Sequence, residues 1–219
     1  MFARLRLPLA LALCVALTAA AAACGGDDEG GENEKAQVNP PGEQKANGMP
    51  DYDGAVATPP KPVPPLTLED STGKRFDISE HKGKVVLLTW LYVKCPDICP
   101  LIVSNLKVAQ TKLGDKAKDV VIVAVSTDPE RDTPKAVNKF IAGRGMTDRM
   151  QYLVGDKSEL GRTWENWGIV AERAAANPEL IEHSSPIYGI SASGKITTLY
   201  PANFKPDQIV HDVPLLAEQ

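Results

Sequence analysis

Positive charge is not in surplus over this 219-residue chain: 24 lysines and arginines stand against 28 aspartates and glutamates, for a net charge of −4. Residues 1–23 carry +2 and residues 24–60 carry −6, while residues 61–219 hold twenty acids against twenty bases. A neutral folded part has no broad basic face for phosphates, so no nucleic-acid partner is expected. A hydrophobic fraction of 43% beside 24% charged residues excludes a multi-pass membrane protein. Internal repeats are absent, which excludes a solenoid. Cysteine is scarce at four residues, and a domain of this size buries a proper core without disulfide staples.

What is present begins with an address. Arg4 and Arg6 precede an apolar run from Leu7 to Ala23, and Ala21-Ala22-Ala23 leads to Cys24. This reads as a lipoprotein signal peptide over residues 1–23. Cys24 resembles the lipobox cysteine that becomes the lipidated N-terminus of bacterial lipoproteins, although Ala21 stands where leucine is usual. The expected location is therefore the extracytoplasmic side of a cell membrane, held by a lipid anchor. Cys14 lies inside the run and is removed with it, so Cys95 and Cys99 are the pair left in the mature domain. Two cysteines outside the cytoplasm imply a disulfide, a metal site, or both in turn.

Residues 24–65 read as a disordered tether, acidic and glycine-rich at first, with five prolines from Pro59 to Pro65. The folded domain is expected over residues 66–219. Leu66-Thr67-Leu68, the turn residues Asp70-Ser71-Thr72-Gly73-Lys74, and then Phe76 and Ile78 predict an N-terminal β-hairpin. Residues 85–91, apolar but for Thr89, and residues 120–125, apolar throughout, read as strands buried on both faces. Leu101, Leu106, Ala109 and Leu113 fit a helix, and Asp132-Thr133-Pro134 opens another. A strand over 152–154, a helix over 160–167, strands over 187–190 and 196–200, and a last helix over 206–217 complete the pattern. Strands alternating with helices and ending in a hairpin describe an α/β domain with a mixed central sheet.

The chemistry concentrates at Tyr92-Val93-Lys94-Cys95-Pro96-Asp97-Ile98-Cys99-Pro100, between a buried strand and a helix. Two thiols at a helix entrance are close enough for a disulfide or a shared metal, and the helix N-terminus favours thiolate. An inert structural disulfide is the alternative, although so short a loop gains little from closure. Cys95-Pro96-Asp97-Ile98-Cys99-Pro100 resembles the C-P-D-x-C-P signature of the Sco/SenC family. Val125-Ser126-Thr127-Asp128-Pro129-Glu130-Arg131-Asp132-Thr133-Pro134 is similar to that family's V-S-x-D-P-x-R-D-T-P segment. Glu182-His183-Ser184, with Tyr188 after it, resembles its D-H-[ST] motif, with Glu182 for the usual aspartate. The likeness runs from Leu66 to the last helix.

That resemblance implies a thioredoxin-like fold and copper held by Cys95, Cys99 and His183. It further implies a copper chaperone that delivers the metal to, or prepares the thiols of, the CuA centre in cytochrome c oxidase subunit II. The donor chemistry agrees: thiolates suit Cu(I), imidazole suits Cu(I) or Cu(II), and two sulfurs with one nitrogen are too few for a closed zinc site. Asp128, at a strand end, is the expected supporting residue behind the ligands. Ser185-Pro186 is similar to the cis-proline opposite the cysteines of thioredoxins. Lys94 either favours the Cys95 thiolate or is simply exposed. Trp164, Trp167, Met146 and Met150 are read as packing residues, and His81 and His211 as solvent-facing. A competing expectation is a thiol–disulfide oxidoreductase that acts through Cys95 and Cys99 on another thiol acceptor protein without copper. A peroxidase-like reading fits less well, because a distant histidine has no place in it.

Overall fold

The computed structural model describes residues 50–219; the signal, Cys24 and most of the expected tether lie outside the described residues. Its first element is β1 (Ala55–Pro62), followed by the hairpin strands β2 (Thr67–Asp70) and β3 (Arg75–Asp77). Next come β4 (Val85–Leu91), α1 (Ile98–Leu113), β5 (Val120–Ser126), α2 (Pro134–Ala142), β6 (Gln151–Val154) and α3 (Lys157–Trp167). The last third holds the short strands β7 (Ala171–Arg173) and β8 (Ile181–His183), then β9 (Ile187–Ile190), β10 (Lys195–Tyr200) and α4 (Pro206–Ala217).

One mixed sheet of eight strands runs in the order β1-β10-β9-β4-β5-β6-β2-β3. At its centre β4 and β5 are parallel, and α1 connects them. β9 is antiparallel to β4, and β10 is antiparallel to β9. This β-α-β unit joined to an antiparallel hairpin and a final helix is the thioredoxin-like fold. Every residue of β4 is buried, because successive side chains point to opposite faces and both faces are covered. Leu87 and Leu91 enter the core formed with α1 and α4, while Val86, Leu88 and Trp90 enter a second core with Leu160 and Trp167 of α3. Met146 and Met150 are buried in the first core, and Trp167 packs edge-on against Trp90, so these residues are packing residues as expected.

The tether boundary at residue 65 needs correction, because the fold begins some fifteen residues earlier. β1 is an antiparallel edge strand on β10, with Ala55 opposite Leu199 and Pro62 opposite Lys195. The register slips between Val56 and Lys61, and Pro59 and Pro60 sit in that irregularity, where missing N–H groups cost no ladder bonds. Fastening comes from α4: buried Asp212 accepts the N–H groups of Asp53 and Gly54, each at 2.8 Å, and the Tyr200 hydroxyl at 2.8 Å. The hairpin β2–β3 forms as expected but is second in order and pairs β2 with β6. His81 is half-buried and stacks on Phe76 at 4.8 Å, contrary to the solvent-facing expectation.

Candidate metal centre

The end of β4 delivers residues 92–97 to the mouth of α1. Asp97 is the N-cap position of α1, yet its side chain makes no capping bond. The Cys95 sulfur does that work, accepting the Cys99 N–H at 3.3 Å. Both cysteines are buried free thiols, with Cys99 in the first turn of α1. The neighbouring Cys99 thiol, followed by the Asp97 and Cys99 amides and the Tyr92 hydroxyl, outweighs burial and brings the Cys95 pKa down to about 5. Cys99 moves the opposite way, raised by the neighbouring Cys95 sulfur and then by burial. The pair is therefore one thiolate and one thiol at neutral pH. Lys94 is exposed, and the electrostatics of the pair come first from these nearer donors.

His183 arrives on a separate hairpin. β8 pairs only with β7, with Ala171 opposite His183 and Arg173 opposite Ile181, in a two-stranded sheet of its own. The ring lies edge-on to Tyr92, centroid to centroid 5.6 Å. Its Nδ1 is 3.0 Å from the Ser184 carbonyl oxygen and 3.2 Å from Ser185 Oγ. That arrangement places the proton on Nδ1 and leaves Nε2 with its lone pair for a metal, and burial lowers the pKa so that the ring stays neutral. Cys95, Cys99 and His183 do not gather as a ready metal cage. Among the described residues, the one group of three with all ligand atoms within 4.8 Å of each other is Asp53, His211 and Asp212. That group is the seam between β1 and α4, and its buried Asp212 is spent on the bonds given above. Ser185–Pro186 is not cis; the cis X-Pro bond among the described residues is Thr58–Pro59.

Asp128 stands where β5 ends, buried, and pairs with Arg131 and, at 3.5 Å, with Arg173. Arg173 also meets Glu130 at 2.6 Å, and Arg131 meets Glu179 at 2.9 Å. Because Arg173 and Glu179 belong to the β7–β8 hairpin, Asp128 supports the element that carries His183 and does not touch the cysteines. Asp132, read from sequence as a possible cap, points inward. Thr133 is the cap of α2, accepting the Ala136 N–H at 3.3 Å. The Asp132 carboxyl accepts the Val93 N–H at 2.9 Å, the Ser126 hydroxyl at 2.7 Å and the Tyr152 hydroxyl at 2.9 Å. It thus ties the cysteine loop to β5 and β6 from below. Asp132 and Tyr92 are the two site residues that sequence reasoning missed.

The SCO1/SenC family model matches residues 56–218. The chain belongs to the SCO1/SenC family. The SCO1 protein homolog of Bacillus subtilis is 30% identical over 156 residues, which cover 69% of this chain and 80% of that protein. Arabidopsis thaliana ScoI, solved with copper bound, superposes with a TM-score of 0.62 at 26% identity, covering 71% of this chain and 98% of that one. BsSco, in which a disulfide switch was identified and which is a Sco family cytochrome c oxidase assembly protein, gives 0.61 at 27%, covering 72% and 94%.

Proposed function

We propose that this SCO1/SenC protein is an extracytoplasmic copper-binding assembly factor for the CuA centre of cytochrome c oxidase, with copper as its cargo. Cys95, Cys99 and His183 hold the metal, and subunit II is the acceptor. One observation carries the reading: a thiolate–thiol pair at the mouth of α1 is linked through Tyr92 to the hairpin that carries a neutral histidine with its Nδ1 already engaged. Two sulfurs and one imidazole suit copper in either oxidation state. The copper-bound Arabidopsis relative supports the metal, and the BsSco relative supports the assembly role. Since the two sulfurs and the imidazole are not all within 4.8 Å of one another, binding draws the His183 ring toward the cysteine pair. Cys24, lipidated, holds the protein on the outer side of the membrane; Cys24→Ser should abolish lipid labelling, and unchanged labelling would refute the anchor.

A second reading is favoured by the split between the two thiols. Thiolate Cys95 attacks a partner's disulfide and releases one partner sulfur as thiolate. Cys99 then gives its proton to that thiolate and attacks Cys95 Sγ, which frees the partner's second sulfur as thiolate and leaves Cys95–Cys99 oxidised by two electrons. A reducing dithiol must restore the pair. His183 has no part in these steps, so it separates the readings. His183→Ala in the full-length reduced chain should weaken Cu(II) by more than the roughly 10–100-fold that supporting residues cost, and Cu(I) by less. Normal binding of both copper states by that variant, together with normal oxidase assembly, would refute the ligand role and leave the exchange reading.

A further inference from the structure

Tyr92 neither holds copper nor exchanges sulfur in the steps above, yet it touches both halves of the site. It is buried, at 3% exposure, directly after β4. Its carbonyl oxygen accepts the Cys95 N–H at 3.2 Å, which pins the start of the cysteine loop. Its hydroxyl oxygen accepts the Ile181 N–H at 3.3 Å, and its ring meets the His183 ring edge-on at 5.6 Å and 72°. We propose that Tyr92 is a positioning residue that fastens the β7–β8 hairpin to the cysteine loop and so sets where His183 stands relative to Cys95 and Cys99. The proposal rests on the reading of His183 as a copper ligand.

The hairpin cannot set that position alone. Its two strands are three residues each and pair only with each other, and so small a ribbon is marginal in water. Beyond the packing of Ile181 against the first core, two polar fastenings from outside remain among the described residues. One is ionic, from Arg173 and Glu179 to Asp128, Glu130 and Arg131, and most of its partners are partly or fully exposed. Such pairs are soft, because solvent and salt screen them. The other is Tyr92, and it is the one beside the histidine. Ile181 and His183 are two residues apart in β8, so hydroxyl and ring hold one strand at two points. A phenylalanine would keep the packing but leave the Ile181 N–H without its acceptor. Hydroxyl and ring therefore make separable contributions.

The test uses the full-length reduced chain, its Tyr92→Phe and Tyr92→Leu variants, and His183→Ala. Without metal, Tyr92→Phe should speed amide exchange at Ile181 about tenfold, the worth of roughly one hydrogen bond, and shift the His183 ring resonances. Tyr92→Leu should shift those resonances further, having lost the ring as well. With metal, Tyr92→Phe should weaken Cu(II) about tenfold and leave Cu(I) within a few-fold, since the imidazole is misplaced while Cys95 loses only the weakest of the groups that favour its thiolate. Unchanged Ile181 exchange and His183 resonances in Tyr92→Phe would overturn the proposal. So would an equal loss of both copper states, which marks general loosening. If His183→Ala binds Cu(II) normally, the ligand reading fails on its own, and the metal-free exchange and resonances still decide whether Tyr92 positions the hairpin.

Discussion

At the scale of single residues, the buried Asp132 carboxyl has a measurable signature. Burial, opposed by its three donors, raises its pKa from 3.8 to about 6. The folded state thus holds a proton that the unfolded state has already lost between those values. The stabilisation from the neutral carboxyl is complete below pH 3.8 and is lost as pH rises through 6. About two pKa units correspond to roughly 3 kcal/mol at most from this group. Asp132→Asn, which cannot ionise, should flatten that part of the stability curve, read from urea midpoints at intervals from pH 4 to 7. A variant with the same slope as the parent would assign the pH dependence elsewhere. The sequence made Cys95 and Cys99 legible because their spacing and neighbours are chemically distinctive. Asp132 was hidden because an acid beside Thr-Pro reads equally well as a cap, and only the inward turn of the backbone tells the two apart. Tyr92 was hidden for a similar reason, since an aromatic after an apolar strand reads as more core.

Among the elements, the β7–β8 hairpin, like β1, is one the sequence concealed. Its strands are short and mostly exposed, so neither alternation nor an apolar run marks them. β4, β5 and α1 were legible for the opposite reason: burial on two faces or along one helical stripe writes itself into the order of residues. The hairpin depends instead on charges distant in sequence, with Arg173 reaching back 45 residues to Asp128. Asp128→Asn should therefore act on the hairpin as a unit. It leaves Arg131 facing only Glu179 and Arg173 only Glu130. A broken buried pair costs about 3–5 kcal/mol, and the partial exposure of both arginines puts this one at the lower end or below. Amide protection should fall across β7 and β8 while β4 and β5 keep theirs. Uniform loss of protection over the whole domain would show instead that Asp128 supports the core and not the hairpin.

Over the whole molecule, what matters is where the folded body begins. Proline density and low apolar content mark residues 24–65 as a tether, and composition alone cannot separate a tether from an edge strand that is held at its far end. The holding group is Asp212, almost at the other end of the chain. It takes two N–H groups from Asp53 and Gly54, while Val56 and Ala57 of β1 are buried. A chain beginning at Pro50 should accordingly match the full-length protein in urea midpoint and in copper uptake. A chain beginning at Leu66 loses β1, uncovers the edge of β10 and strips Asp212 of both backbone donors. Unmet hydrogen-bonding groups of this kind cost about 1–3 kcal/mol each, more where a charge is involved. Lost apolar burial adds roughly 25 cal/mol per Å² uncovered. Together these are a large share of the roughly 5–15 kcal/mol that keeps an ordinary domain folded. The Leu66 chain should unfold at clearly lower urea, and its newly bare β10 edge should make it prone to self-association. Equal stability of the two truncations would mean that β1 rides on the sheet without supporting it, and would return residues 50–65 to the tether.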